Sequence, residues 1–377
     1  MNLKLKQLSL ASAAVTAALA LGACGGGGDD GAAQGGSAAD QAGVAEALTN
    51  VKKWSAAPTT VGLDAALPET PQKGKTIVHL RCFVEGCQAI YQGLDQATKA
   101  LGWNAKAINM GPTPEEVGQA FDAALAMHPD GILISGVASA VYKQQLAEAK
   151  RQGIPVVTLS AADPATGMKG NGIISSINGP DQAELYGKVV ANWVAADSKG
   201  KARVAYFTIK NFPTLAPVTN AFTTELKRLC PDCAVDKVEV QATDLGKRIP
   251  QQVVSAIQQQ PDTKYVGFAF GQMSTGVRPA LKGAGFKDVK IVGAAPYAAN
   301  LQALRDGSED MWAGHTNVLQ GWYAADAFAR YWEHTNLKPS DTLTMPTQVL
   351  TKANVPSDKW YVVPNYEQKF ESLWKVG

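Results

Sequence analysis

The feature that most constrains this chain is a series of short segments apolar on both faces, each followed by a stretch of helical periodicity. Gly131-Ile-Leu-Ile-Ser135 and Pro155-Val-Val-Thr-Leu159 present no polar face. A strand of that kind belongs in a parallel sheet covered by helices on both sides. Thr76-Ile-Val-His-Leu-Arg81 and Asn104 to Met110 read as companion strands. Gln88 to Leu101 sets Ile90, Leu94, Ala97 and Leu101 on one helical face. Thr113 reads as an N-cap, with Pro114 at the first helical position and Glu116 completing a capping box, which predicts a helix to Met127. Val141 to Arg151 reads as a third helix.

The pattern then restarts. Strands are expected at Arg203 to Thr208, Ala234 to Val240, Tyr265 to Phe270, Val289 to Gly293 and Met311 to Thr316. Helices are expected near Thr219 to Leu229, Pro250 to Gln259, Thr275 to Gly283 and Ala298 to Asp306. His128-Pro-Asp130 precedes one strand and Gln260-Pro-Asp262 precedes its counterpart, a weak internal repeat. Strand and helix alternating with right-handed crossovers give the expected class: α/β, two doubly wound parallel-sheet lobes of three layers each. The predicted division is a leader over 1–23 and a flexible tether and strap over 24–73. An N-terminal lobe takes 74–177 with 318–344, and a C-terminal lobe and tail take 178–317 with 345–377. Val51 to Lys73, with Trp54, reads as an ordered strap, and Met345 to Leu350 as a last extended piece of the second sheet.

The N-terminus reads as a secretory leader: Lys4 and Lys6, then an apolar or small stretch from Leu8 to Leu21 that is too short to span a bilayer. It ends Leu21-Gly22-Ala23-Cys24, which resembles the bacterial lipobox. That resemblance implies lipidation of Cys24 and anchoring to a membrane through acyl chains, more than one being needed for stable attachment. Gly25 to Gly28 and the stretch to Asp40 read as the flexible tether such an anchor needs. Loss of Lys4 and Lys6 with the leader leaves 33 basic and 33 acidic residues, out of 35 and 33. A chain of zero net charge lacks the basic footprint of a nucleic-acid binder. Four cysteines remain, and in an exported chain the local spacings Cys82/Cys87 and Cys230/Cys233 favour two disulfides. A zinc site would need both pairs, which the topology sets in different lobes. A redox Cys-x-x-Cys should open a helix, whereas Cys230-Pro-Asp-Cys233 closes one.

The segments Lys75-Thr-Ile-Val-His-Leu, Gly93-Leu-Asp-Gln-Ala-Thr-Lys-Ala-Leu-Gly102-Trp, Pro129-Asp-Gly-Ile-Leu-Ile-Ser, Ala149-Lys-Arg-Gln-Gly-Ile-Pro-Val-Val-Thr and Asp288-Val-Lys-Ile-Val-Gly293 resemble, in order and interval, the type I periplasmic binding protein family, in its ribose-like and repressor-core-like branch. The resemblance covers about Lys75 to Leu350. It implies two lobes joined by three crossovers with a cleft between them, no cofactor, and delivery of a solute by a membrane-anchored extracytoplasmic monomer to an ABC permease. The family's charged sugar-gripping positions are largely missing. Ser160-Ala161 stands where Asp-Arg is expected, Gly271-Gln272 replaces Asn-Asp, and Ala294-Ala-Pro-Tyr297 replaces an Asp. Asn317 keeps a carboxamide in place of Gln. The expected ligand is therefore a sugar or a less polar, aromatic molecule. Phe83, Phe212, Tyr297 and Trp322 are the candidate walls, and Gln272, Asn317 and Ser160 the orienting groups. Arg81 and Glu85 flank Phe83 in the loop that a Cys82–Cys87 bridge would close. A register slip would bring in Asp163, Asp181 or Arg278 instead.

No G-x-S-x-G, H-E-x-x-H or P-loop occurs. Of the four histidines only His315, closing a strand beside Asn317, could face the cleft. Catalysis and metal binding are not expected. The alternatives are a ligand-presenting receptor for a chemosensory or signalling partner and, behind it, a lipid-anchored hydrolase.

Overall fold

The computed structural model describes residues 38–209, 212, 215–314, 316–337, 344–356 and 363–377. The leader, Cys24, residues 25–28 of the tether and His315 lie outside them. Among the described residues no helix is long and apolar enough to cross a membrane.

The first sheet is wholly parallel. Strands β1 (Thr76–Arg81), β2 (Asn104–Asn109), β3 (Gly131–Ser135), β4 (Val156–Leu159) and β5 (Ile173–Ile177) run in the order β2-β1-β3-β4-β5. Every residue of β3 and β4 is buried, whereas the edge strand β2 is largely exposed or half-buried. Strand β5 is missing from the sequence reading because Ser175 and Ser176 interrupt its apolar run. The second sheet repeats the winding. Strands β6 (Arg203–Ile209), β7 (Ala234–Val240), β8 (Tyr265–Phe268), β9 (Lys290–Ala294) and β10 (Met311–Gly314) are parallel. Strand β11 (Gln348–Leu350) adds antiparallel to β10, giving the order β11-β10-β9-β8-β6-β7. With β11 set aside, the two sheets share one strand order, so the weak repeat in sequence is a repeat of topology.

Helix α1 (Ala38–Ser55) precedes the first sheet, where the sequence reading set tether and strap. It packs on α5 (Pro180–Asp197) and α6 (Ala216–Leu229). A Cβ on Gly43 would stand 2.0 Å from the Leu229 carbonyl oxygen, so only glycine permits this approach. Helices α2 (Glu85–Ala100), α3 (Pro114–Ala126) and α4 (Lys143–Arg151) flank the first sheet. The α3 capping box forms as read: Thr113 Oγ1 accepts from the Glu116 amide, and Glu116 Oε2 accepts from the Thr113 amide. Helices α7 (Ile249–Gln259), α8 (Val277–Gly283) and α9 (Ala298–Asp306) complete the second unit. Both cysteine pairs are disulfides, Cys82–Cys87 and Cys230–Cys233.

Helix α10 (Asn317–Trp332) returns the chain from the second sheet to the first, where it crosses α2 and covers β4 and β5. A Cβ on Gly93 would meet the Val318 carbonyl oxygen at 1.9 Å, and one on Gly321 the Leu94 nitrogen at 2.2 Å. The two backbones therefore touch. On the same helix Asp326 and Arg330 form a buried ion pair, Nε to Oδ2 at 2.7 Å. Each has a further partner: Trp374 Nε1 donates to Asp326 Oδ1, and Arg330 Nη2 donates to the Ala65 carbonyl. The strap is thereby tied to α10, with Tyr323 donating to the Val61 carbonyl. Helix α11 (Tyr366–Trp374) also lies on α10, with Trp374 stacked on Trp322 at 5.4 Å. The sequence reading set this tail against the second lobe. Its aromatic face instead belongs to α10.

Replacing Asp326 by alanine leaves Arg330 buried and unpaired. Urea unfolding is expected to show a loss of about 3–5 kcal/mol. The double change Asp326→Leu with Arg330→Met should recover most of it.

Candidate binding cleft

A cavity of about 520 Å³ lies beyond the carboxyl ends of the strands of both sheets. Cys82 and Phe83 follow β1, Met110 follows β2 and Ser135 ends β3; Ser160 and Asn178 follow β4 and β5. From the second sheet come Phe212 after β6, Ala269 and Phe270 after β8, and Ala295 and Tyr297 after β9. Asn317 and Gln320 enter from the first turn of α10. Parallel sheets put their loops and helix N-termini at this end, which is why ligands bind there.

Three wall residues hold a left-handed backbone that a β-carbon disfavours: Ser160 at φ 51°, Asn178 at 55° and Ala295 at 47°. Asn178 follows β5 at the first passage between the sheets, and Nδ2 of its side chain donates to Ser160 Oγ at 2.6 Å. The same group reaches Gln320 Oε1 at 3.5 Å, and Gln320 Nε2 donates to Asn317 Oδ1 at 2.9 Å. Ser160, Asn178, Gln320 and Asn317 thus form one neutral polar ribbon down the cavity. Tyr297 stands across it, its phenol held well above the usual range, first by burial and then by the nearby Glu85 charge. Gly86 closes the gap between the units, since a Cβ there would lie 2.9 Å from both Asn317 Nδ2 and Tyr297 Cε1. Among the described residues no Asp, Glu, Lys, Arg or His lines the cavity. No cluster of potential metal ligands occurs among them either.

The model of the periplasmic binding protein domain matches residues 85–336, about two thirds of the chain. The chain belongs to the periplasmic binding protein family. Its two lobes have the type I fold, and it is an extracytoplasmic solute-binding protein rather than an enzyme. No curated protein matches it by sequence. Among solved structures, the glucose-galactose binding protein GanP of Geobacillus stearothermophilus is similar at a TM-score of 0.65 and 17% identity, covering 76% of this chain and 100% of its own. A periplasmic ribose ABC transporter protein of Conexibacter woesei gives 0.64 at 18%, over 76% of this chain and 95% of its own. The 5-methylthioribose transporter solute-binding protein of Thermotoga lettingae gives 0.63 at 15%, over 82% and 99%. At such identities the likeness is one of fold.

In this binding protein the cavity gathers Phe83, Ser160, Phe212, Tyr297 and Asn317 from the sequence-based candidates. The other four stand elsewhere. Arg81 turns to β2, its Nε donating to Asn109 Oδ1 at 2.8 Å. Glu85 is exposed at the first position of α2. Gln272 lies in the turn after β8, off the cavity wall, its Oε1 buried without a partner. Trp322 is 2% exposed and packs among Tyr366, Phe370 and Trp374. Five residues beyond Asn317 on a helix of 100° per residue, it points well away from the Asn317–Gln320 face.

The residues of the register-slip alternative are also occupied outside the cavity. Asp163 accepts from the Ser139 amide at 2.7 Å and from its hydroxyl. Arg278 is spent on the Val289 and Ser308 carbonyls and Asp310. Asp181 is exposed in the first turn of α5. The sequence reading missed Ser135, Asn178 and Gln320. Asn178 follows the unrecognised β5, and Gln320 is legible only as the i+3 partner of Asn317. Ser135 had the same signal as Ser160, a polar residue ending an apolar strand.

Behind Ser135 lies His79 of β1, fully buried, its Nε2 2.8 Å from Ser135 Oγ. Burial, and then the charge of Arg81, push this imidazole down to about 3 from 6.5. The native chain therefore refuses a proton that the unfolded chain accepts below pH 6.5. The stability this group contributes is present above that pH and lost as pH falls toward 3. Between pH 7 and pH 5 the wild type should lose about 2 kcal/mol more than His79→Gln in urea unfolding.

Proposed function

We propose that this chain is the solute-binding lipoprotein of an ABC importer, and that it captures a neutral small molecule of low hydroxyl content by closing its lobes and presents it to the permease. The observation that carries the reading is the cavity wall, on which no described residue bears a charge. A carboxylate, amine or phosphate buried there would lose its hydration with no counter-charge among the described residues, a penalty that usually excludes such ligands. A polyol is also poorly served. Thr113 is bonded to Glu116, Asn178 to Ser160 and Gln320 to Asn317, so much of the wall's hydrogen-bonding capacity is already used internally. Phe83, Phe212, Phe270 and Tyr297 offer rings to an apolar body instead. Pockets with apolar walls and few polar anchors suit such ligands.

On this reading residues 74–177 with 318–344 move as one lobe and carry α11. Residues 178–317 with β11 form the other. The three passages between the sheets act as hinges, as in other two-lobed binders. Cys24, in its lipobox context, anchors the mature chain, and the stretch to residue 37 gives it reach. The protein acts as a monomer with no cofactor.

Two measurements test the proposal. Native mass spectrometry of gently purified protein is expected to show a retained neutral solute, and a retained anion or cation would refute the reading. Tyr297→Ala and Asn317→Ala should each reduce that occupancy by about tenfold, while Trp322→Phe lowers the melting temperature without changing it. In cells, Cys24→Ser is expected to move the protein from the membrane fraction to the soluble one.

A further inference from the structure

We infer that Ser135 is a dedicated hydrogen-bond donor, held in that role by His79, and that it selects solutes placing a neutral oxygen acceptor at the inner end of the cavity. The inference rests on the neutral-solute reading above and deepens it. Ser135 is 1% exposed, lines the cavity, and has His79 Nε2 as its side-chain partner at 2.8 Å. The other ring nitrogen, Nδ1, is buried with no partner.

Those facts choose the tautomer. A neutral imidazole carries one N–H and one lone pair. A proton on Nδ1 would bury an N–H with nothing to receive it, and orphaned buried N–H groups are the rarest kind. A proton on Nε2 leaves only a lone pair unmet, and it is also the tautomer favoured in water. Nε2–H therefore donates to Ser135 Oγ. The serine then accepts from behind, and its own hydrogen must point elsewhere. No protein acceptor for it is found among the described residues, and the open direction is the cavity.

The surroundings make this donor discriminating. Gly136 and Val137 follow it, with Cys82 against Gly136, and none supplies a side-chain oxygen; Ser160, one residue past its β4 register partner Leu159, has its Oγ engaged by Asn178. A solute lacking an acceptor there would bury the hydroxyl unpaired. Sites built to hydrogen-bond one ligand group reject the analogue without it far more strongly than apolar contacts reject a change of shape. A ketone, ester, ether or hydroxyl oxygen on an otherwise apolar, uncharged skeleton meets the requirement.

The test has two arms on the full mature chain. Long-range proton–nitrogen NMR of the solute-free protein reads the His79 ring directly. The expected result is a neutral ring protonated on Nε2, and a Nδ1–H ring would overturn the inference whatever binds. The second arm uses a matched pair of near-identical shape, 2-acetonaphthone and 2-isopropenylnaphthalene, differing in C=O against C=CH2. Equilibrium dialysis of the wild type should favour the ketone by at least about tenfold. Ser135→Ala should bring the two within about threefold, and Ser135→Thr, which keeps the hydroxyl, should retain the preference. Unchanged melting curves certify that the variants fold. Equal binding of both probes by the wild type overturns the Ser135 assignment. Uptake of neither, with His79 protonated on Nε2, overturns the neutral, apolar-bodied solute class on which the assignment depends.

Discussion

The crossing of α10 over α2 is the contact on which the rest of this molecule depends. Gly93 and Gly321 let the two backbones meet, and any side chain at either position would occupy space held by main-chain atoms. Because the two backbones touch, α10 is held against the first sheet although it follows the last parallel strand of the second. Everything α10 carries is positioned by that contact: Asn317 and Gln320 at the cavity, and the Asp326–Arg330 pair that receives the strap and α11. The buried pair is tolerable because both ions are further hydrogen-bonded, which meets the condition for charges in a protein interior. Burial still pushes the Asp326 carboxyl above its ordinary range, with Arg330 opposing.

The cavity inherits its character from the same economy of charge. Ionic side chains abound on this protein, yet where the described chain turns inward at the strand ends it offers Ser, Asn, Gln and Tyr. Neutral amides bonded to one another hold their geometry without a strong field. Under the proposed function such a wall discriminates by shape and by the few donors and acceptors left facing inward, not by charge. The disulfide Cys82–Cys87 serves this purpose at the rim, where it keeps the turn bearing Phe83, itself half exposed, close to the start of α2.

Much of the architecture was legible because strands buried on both faces cannot hide their composition. β1, β3, β4 and most of the second sheet stand out as apolar runs, and the α3 capping box marks its own start. Among the elements the sequence reading did not name, α5, α10 and α11 bury large apolar side chains such as Val190, Phe328 and Phe370, whereas α1 packs through small ones. In α1 the half-buried and buried positions Gly43, Val44, Ala47, Asn50, Val51 and Trp54 do follow a helical spacing, but too few of them are large and apolar for the pattern to register. Strand β5 is split by serines, and missing it also hid Asn178.

The sequence by itself determined that two parallel α/β units exist, that their strand ends face a cleft, and that the charges expected for gripping a sugar are missing there. The first follows from periodicity and side-chain type along single strands and helices, and the other two from the resemblance to the type I family. Only the tertiary structure decided which aromatics reach the cleft. Phe83 and Trp322 are equally apolar on paper, yet one lines the cavity while the other is sealed beneath Trp374. The difference arises from a tail helix that arrives from the far end of the chain to cover Trp322, a contact of which local sequence holds no record.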